Sequence, residues 1–119
     1  MRLLPTLLTP ALLLATACYN EARYDADYDV AFCDKVFECS DPMVVEFLPY
    51  QNVEDCLSYR ARIHEEEREE AEASNEDPTC DFDPQSAQDC VDATANMGCE
   101  AYNAGSFPPV CDDVCGLAG

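Results

Sequence analysis

Residues 28–39 read Tyr-Asp-Val-Ala-Phe-Cys-Asp-Lys-Val-Phe-Glu-Cys, and this segment carries both signals from which the fold is inferred. Its apolar side chains recur at helical spacing and form one stripe, made of Tyr28, Phe32, Cys33, Val36 and Phe37. Cys33 and Cys39 are two of the nine cysteines of the chain. The segment therefore predicts an amphipathic helix that disulfides join to its neighbours.

Three further helices are predicted downstream, each beginning after an Asp or Asn that can cap its first turn. Their predicted ranges are 42–48, 53–73 and 84–97. Gly98 is expected to end the last of them in the left-handed conformation, with a loop over 100–110 and a final turn over 110–115. Since no alternation of apolar and polar residues lasts long enough for a sheet, the predicted fold class is all-α, with about four helices.

Composition limits the classes of function. The chain has 119 residues, of which 25 are acidic and six are basic, giving a formal net charge of −19. Such a chain is a poor nucleic-acid binder, because that affinity comes mainly from cations on phosphates. Nine cysteines favour an oxidising compartment over the cytosol.

The first seventeen residues are predicted to be a secretory signal peptide. Arg2 supplies a positive start, residues 3–15 are rich in leucine, and Ala15-Thr16-Ala17 is a cleavage site of small residues. The predicted division of the chain is a signal peptide over 1–17, an N-terminus and short polar tether over 18–27, and a cysteine-rich helical domain over 28–119.

Cys18 would become the first residue after cleavage, and the number of cysteines singles it out. Without it, eight remain, an even number that allows four disulfides: Cys33, Cys39, Cys56, Cys80, Cys90, Cys99, Cys111 and Cys115. Lipidation of Cys18 explains the odd cysteine, and a free thiol or an intermolecular bridge is the alternative.

Leu14-Ala15-Thr16-Ala17-Cys18 resembles the lipobox of bacterial lipoproteins, although Leu14 lies one position earlier than the usual leucine. The resemblance implies a membrane anchor on Cys18, and Tyr19 in place of Asp implies sorting to the outer membrane. The cysteine spacing of 80–90 and 109–115 makes the whole chain resemble small cysteine-rich lipoproteins of myxobacterial type. Many of these have no assigned activity, so the resemblance bears on location more than on function.

The disulfides are expected to supply most of the stability margin. Four bridges at about 2–4 kcal/mol each are comparable with the whole net stability of a typical domain, about 5–15 kcal/mol. Eight cysteines allow 105 pairings. A hairpin of the first and the long helix favours Cys39 with Cys56, while Cys111 and Cys115 are expected to bond back to other helices.

The sequence predicts no enzyme, no cofactor and no metal site. No Cys-x-x-Cys pair is present for redox exchange, and His64 is expected to be a solvated helix residue with no nucleophile motif beside it. Asp25-Ala-Asp27-Tyr-Asp29 resembles the opening of an EF-hand loop. Val30 and Val36 stand where that loop needs Gly and Glu, so an Asp-rich helix start is favoured, and loose divalent binding stays open.

The predicted long helix ends in an acidic run, which is either a solubilising face or a docking surface for a basic protein. Its members are Glu65, Glu66, Glu67, Glu69, Glu70 and Glu72. The function expected from the whole sequence is a lipid-anchored, non-enzymatic binding or structural module of the cell envelope. The alternative is a secreted, unlipidated disulfide-rich binder such as an inhibitor or a toxin-like domain.

Overall fold

A computed structural model describes residues 19–74 and 80–116. The described chain is mostly helical and contains four disulfides, so the predicted all-α, disulfide-stabilised fold class is confirmed. The α-helices are α1 (Glu21–Cys39), α2 (Pro42–Val45), α3 (Val53–Ala73), α4 (Pro84–Asn96) and α5 (Cys99–Asn103). A 3-10 helix spans Pro109–Asp113, and β1 (Asp81–Phe82) pairs antiparallel with β2 (Cys115–Gly116).

Helix α1 begins seven residues earlier than predicted, so residues 21–27 are helix rather than tether. The Asn20 side chain caps this helix by accepting a hydrogen bond from the backbone N–H of Arg23 at 2.9 Å. Tyr24 extends the apolar stripe one turn before Tyr28, and its ring packs beside Phe82. The extra turns bury aromatic surface that a solvated tether would leave in water.

Helix α1 is the central element, because both small hydrophobic clusters form against it. The first cluster joins α1 to α3 and to the segment before α3, and its buried residues are Cys33, Val36, Tyr50 and Cys56. The second joins α1 to α4 and to the C-terminal turn, and its buried residues are Ala87, Cys90 and Val114. Because each cluster is small, the disulfides between the helices are expected to contribute much of the stability of the fold.

Local capping places the starts of α2, α3 and α4 where the sequence predicted them. The side chains of Asp41, Asn52 and Asp83 each accept backbone hydrogen bonds in the first turn of their helix. The predicted range of α3 is confirmed, and α4 ends one residue early. Helix α2 is shorter than predicted and ends at Val45, before a turn that precedes Pro49.

The segment after α4 differs from the prediction. Gly98 has a φ of −79° and precedes α5, so it does not end α4 in the left-handed conformation. Helix α5 occupies the start of the predicted loop, and the left-handed residue is Gly105, with φ of 71°, just beyond it. The chain turns back after α5 with glycine because a side chain at positive φ is strained.

Two of the four disulfides show that the favoured pairing of Cys39 with Cys56 is wrong. Cys33 bonds to Cys56, which links α1 to α3, and Cys39 bonds to Cys99 at the start of α5. Six residues along a helix rotate a side chain by about 240°, so Cys33 and Cys39 point in different directions. Only Cys33 therefore faces α3.

The other two disulfides hold the C-terminal turn. Cys111 bonds to Cys90 on α4, as a bond to another helix was expected. Cys115 bonds to Cys80, which lies before β1 and not on a helix. This bridge stands beside the short β1–β2 pairing, where the sequence predicted no strands.

Candidate functional site

The disulfides use every cysteine of the chain except Cys18. Cys18 and the predicted signal peptide over 1–17 lie outside the described residues. Tyr19, the next residue, packs its ring against Phe82 at a centroid distance of 6.3 Å. The candidate anchor is therefore covalently adjacent to the folded domain.

A buried carboxylate on α1 forms a polar cluster that the sequence did not predict. Asp29 is only 5% exposed. Its Oδ1 accepts a hydrogen bond from Arg60 Nε at 2.9 Å, and its Oδ2 lies 2.9 Å from His64 Nε2. The expectation that His64 is a solvated helix residue is wrong, because its imidazole contacts Asp29 and packs against α1. Charge pairing of this kind is what allows a carboxylate to be buried.

A shallow cleft of about 160 Å³ lies beside this cluster, between α1 and α3. Alanines form much of its wall, and Asp25, Asp29, His64 and Arg68 supply its polar groups. Burial raises the pKa of the Asp25 carboxyl, and the neighbouring charge of Asp29 raises it further, while His64 and Arg68 oppose the shift. The cleft is smaller than ordinary ligand pockets, which run to about 300–1,000 Å³.

The aspartates of the EF-hand-like segment do not form a loop. Residues 25–29 lie inside α1, where successive side chains turn by about 100°. Asp29 is bound to Arg60, whereas Asp27 lies on another face, 3.9 Å from Arg23. The three carboxylates therefore do not converge as calcium ligands in a loop do.

Over residues 19–74 and 80–116, one group of side chains brings three ligand atoms within metal-binding distance of one another. It consists of Glu38, Cys39 and Cys99. Cys39 and Cys99 are bonded to each other, and the thiolates that zinc requires are not present in a disulfide. This group does not fit a metal.

The acidic run of α3 lies beside the N-terminal half of α1. The six predicted docking residues, Glu65, Glu66, Glu67, Glu69, Glu70 and Glu72, are all exposed. Arg68 lies within the run and lines the same cleft as Asp25, which places the run near the end of the domain that follows Cys18. The sequence prediction of a solvated helical face is consistent with this exposure.

The most exposed of the large apolar side chains lie at the opposite end of α1. Met43, Val44 and Phe47 lie on α2 and the turn after it, and we call these three residues the α2 patch. Phe47 is 86% exposed and Met43 is 71% exposed. The sequence indicated that a helix over 42–48 carries these residues, but not that they face away from the core.

The backbone beneath the α2 patch is held in place by hydrogen bonds. The Asp41 side chain accepts from the backbone N–H of Met43 at 2.8 Å. The Gln51 amide donates to the backbone carbonyls of Val45 and Leu48, both at 3.1 Å. Leu48 and Tyr50 pack into the first hydrophobic cluster, so the patch stands on an anchored segment.

Comparison with protein-family models, curated proteins and solved structures finds no match to the chain. Among the helices over residues 19–74 and 80–116, none combines the length and the hydrophobicity needed to cross a bilayer.

Proposed function

We propose that the chain is a lipid-anchored protein of the cell envelope that acts as a non-enzymatic binding module, with Cys18 as the lipidated residue. The observation that carries the proposal is the complete pairing of the other eight cysteines. Cys18 has no cysteine of this chain left to bond. Lipidation of bacterial lipoproteins modifies a cysteine thiol that directly follows a cleavage site of small residues, and Cys18 occupies that position.

The arrangement of the described residues supports binding rather than turnover. The cleft beside His64 is small, and His64 itself is held across α1 and α3 by the buried carboxylate of Asp29. The α2 patch, in contrast, presents three apolar side chains to solvent on a fixed backbone. Exposed apolar groups of this kind mark interaction surfaces.

The anchor is proposed to lie in the outer membrane, on the strength of Tyr19 after the lipidated cysteine. Several acyl chains at about 0.8 kcal/mol per buried methylene hold a protein firmly at a bilayer. Fractionation of the two membranes of a Gram-negative host that expresses the full chain tests this location. Recovery in the inner membrane would contradict it.

Intact-mass measurement without reduction, after alkylation of free thiols, tests the anchor itself. We expect a mass that starts at Cys18, is increased by acyl chains and is decreased by the eight hydrogens of four disulfides. A chain without acyl groups would instead support the secreted, unlipidated binder. Alkylated cysteines would contradict the complete pairing.

Two variants provide matched controls for acylation, measured by incorporation of labelled palmitate. Cys18→Ser is expected to lose the label and keep all four disulfides. The double variant Cys33→Ser, Cys56→Ser is expected to keep the label and lose one disulfide. Label retained in Cys18→Ser would show that another residue carries the lipid and would refute the assignment.

A further inference from the structure

We infer that the α2 patch docks a partner protein that presents an apolar face flanked by lysine or arginine. The inference rests on the proposed function for the orientation of the molecule, and it deepens that function by naming the class of partner. The three residues of the patch, Met43, Val44 and Phe47, are more exposed to solvent than the other large apolar residues of the domain.

The composition of the patch suits binding. Phenylalanine and methionine are enriched at the buried centres of protein interfaces, where one large side chain in a pocket carries much of the affinity. Phe47 leaves most of its ring in solvent although the first hydrophobic cluster lies only a few residues along the chain. Burying that ring against another protein recovers the hydrophobic free energy that folding leaves unused.

The patch is also preorganised. Asp41 and Gln51 fix its backbone from both sides, and the disulfide from Cys39 to Cys99 holds the end of α1 from which it projects. A segment that is already ordered loses little conformational entropy on binding. An exposed apolar loop without such support would collapse onto the core or move freely.

Charge selects the partner. Asp41 and Glu46 bracket the patch, both are exposed, and within the described residues neither joins an ion pair. The chain as a whole carries a net charge of −19, which opposes approach of a second copy. Basic residues that flank the apolar face of the partner satisfy both features, because opposite potentials across an interface favour association.

The position of the patch argues against the anchoring membrane as its occupant. Helix α1 separates Tyr19 from α2, and its 19 residues span about 28 Å at 1.5 Å per residue. Lipid on Cys18 would therefore hold the opposite end of the helix at the bilayer. Anionic lipid headgroups would also repel the acidic residues around the patch.

The test measures binding of a defined probe, an amphipathic helical peptide with a leucine face flanked by lysines. The purified protein is held in lipid nanodiscs if the mass measurement shows acyl chains and in buffer if it does not, so the outcome is independent of the anchor. We expect this peptide to bind. We expect no binding of counterparts with glutamate for lysine or with serine for leucine.

Substitutions in the protein locate the surface. Phe47→Ser is expected to weaken binding of the lysine–leucine peptide by about tenfold or more, and Glu46→Lys by about fivefold. Val30→Ser is the matched control, since Val30 is an exposed apolar residue on α1, and it should leave the affinity unchanged. All three variants should keep four disulfides and a cooperative melt.

Four outcomes would overturn the inference. They are equal binding of the glutamate peptide, unchanged affinity of Phe47→Ser, dimerisation of the protein that Phe47→Ser abolishes, and binding of protein-free phosphatidylcholine vesicles that depends on Phe47. The third would identify a second copy as the occupant, and the fourth would identify lipid.

Discussion

At the scale of single residues, Asp29 adds a buried polar link between α1 and α3 to their disulfide and hydrophobic contacts. Its carboxylate is the buried acceptor for two cationic or polar donors of α3, Arg60 and His64. Arg60 also lies over the ring of Phe32, with its guanidinium carbon 5.0 Å from the centroid. A single acid in the apolar stripe of α1 thus positions one face of the long helix.

Asp29→Asn is expected to lower the free energy of unfolding by about 1–3 kcal/mol, because the neutral amide offers one acceptor to two donors that lose a charged partner. Urea denaturation at neutral pH measures the loss. An unchanged midpoint would mean that Arg60 and His64 find equivalent partners in water.

Asp25→Asn is the matched control on the same face of α1. Burial raises the pKa of Asp25 in the folded state. Its contribution to stability is therefore complete below the unfolded pKa and is lost as pH rises through the folded value. Asp25→Asn should be more stable than the parent at neutral pH, with no advantage below about pH 3.8. The opposite sign would place the carboxylate in a favourable ion pair.

At the scale of elements, the caps determine where helices start. Asp83 holds the first turn of α4, accepting from the backbone N–H groups of Gln85 and Ser86 and from the Ser86 hydroxyl. These hydrogen bonds, with that of the Ser86 side chain the largest, lower the pKa of the Asp83 carboxyl. The cap is therefore strongest when the carboxyl is ionised.

Removing the charge of Asp83 should make the stability of α4 less dependent on pH. The contribution of a carboxyl with a lowered pKa is present above its unfolded pKa and is lost as pH falls through the folded value. Asp83→Asn keeps a capping side chain and should melt at a lower temperature than the parent at neutral pH, with the difference vanishing in acid. Thermal melts followed by circular dichroism at the two pH values measure it.

Asn20→Ala at the start of α1 is the control for capping without ionisation. Asn20 accepts from the backbone N–H of Arg23 at 2.9 Å. Loss of this cap should lower the free energy of unfolding by about 1 kcal/mol, and the decrease should be the same at both pH values. A loss that changes with pH in this variant would assign the effect to the general acidity of the chain rather than to Asp83.

At the scale of the whole molecule, disulfides offset a small core and a large negative charge. The four bridges close loops of 23, 60, 35 and 21 residues along the chain. Each constrains the unfolded chain more as its loop lengthens. Self-repulsion at a net charge of −19 acts against the folded state, so the covalent links are decisive.

Reduction of all four disulfides is expected to leave the protein unfolded or molten, seen as loss of the cooperative melt by far-UV circular dichroism. When a single bridge is removed by paired Ser substitution, the loss in the free energy of unfolding should increase with the length of the loop that the bridge closes. We expect a loss of about 4 kcal/mol for Cys39–Cys99 and about 3 kcal/mol for Cys90–Cys111. A reduced protein that still melts cooperatively at the same temperature would show that the hydrophobic clusters suffice.

Several features follow from the sequence alone because their causes are local. Asp41, Asn52 and Asp83 mark the starts of α2, α3 and α4, since a cap acts within its own first turn. The cysteine count, the charge and the predicted cleavage site likewise need no tertiary contact to be interpreted.

Tertiary packing alone decided which side chains contact one another within the chain. Periodicity shows that α1 has an apolar stripe, but not that Cys33 rather than Cys39 meets α3, or that Asp29 is buried beside His64. Nor does it show that Phe47 is left in water. These outcomes depend on how helices far apart in sequence are rotated and stacked, and contact between distant segments leaves no signature in the local pattern of either one.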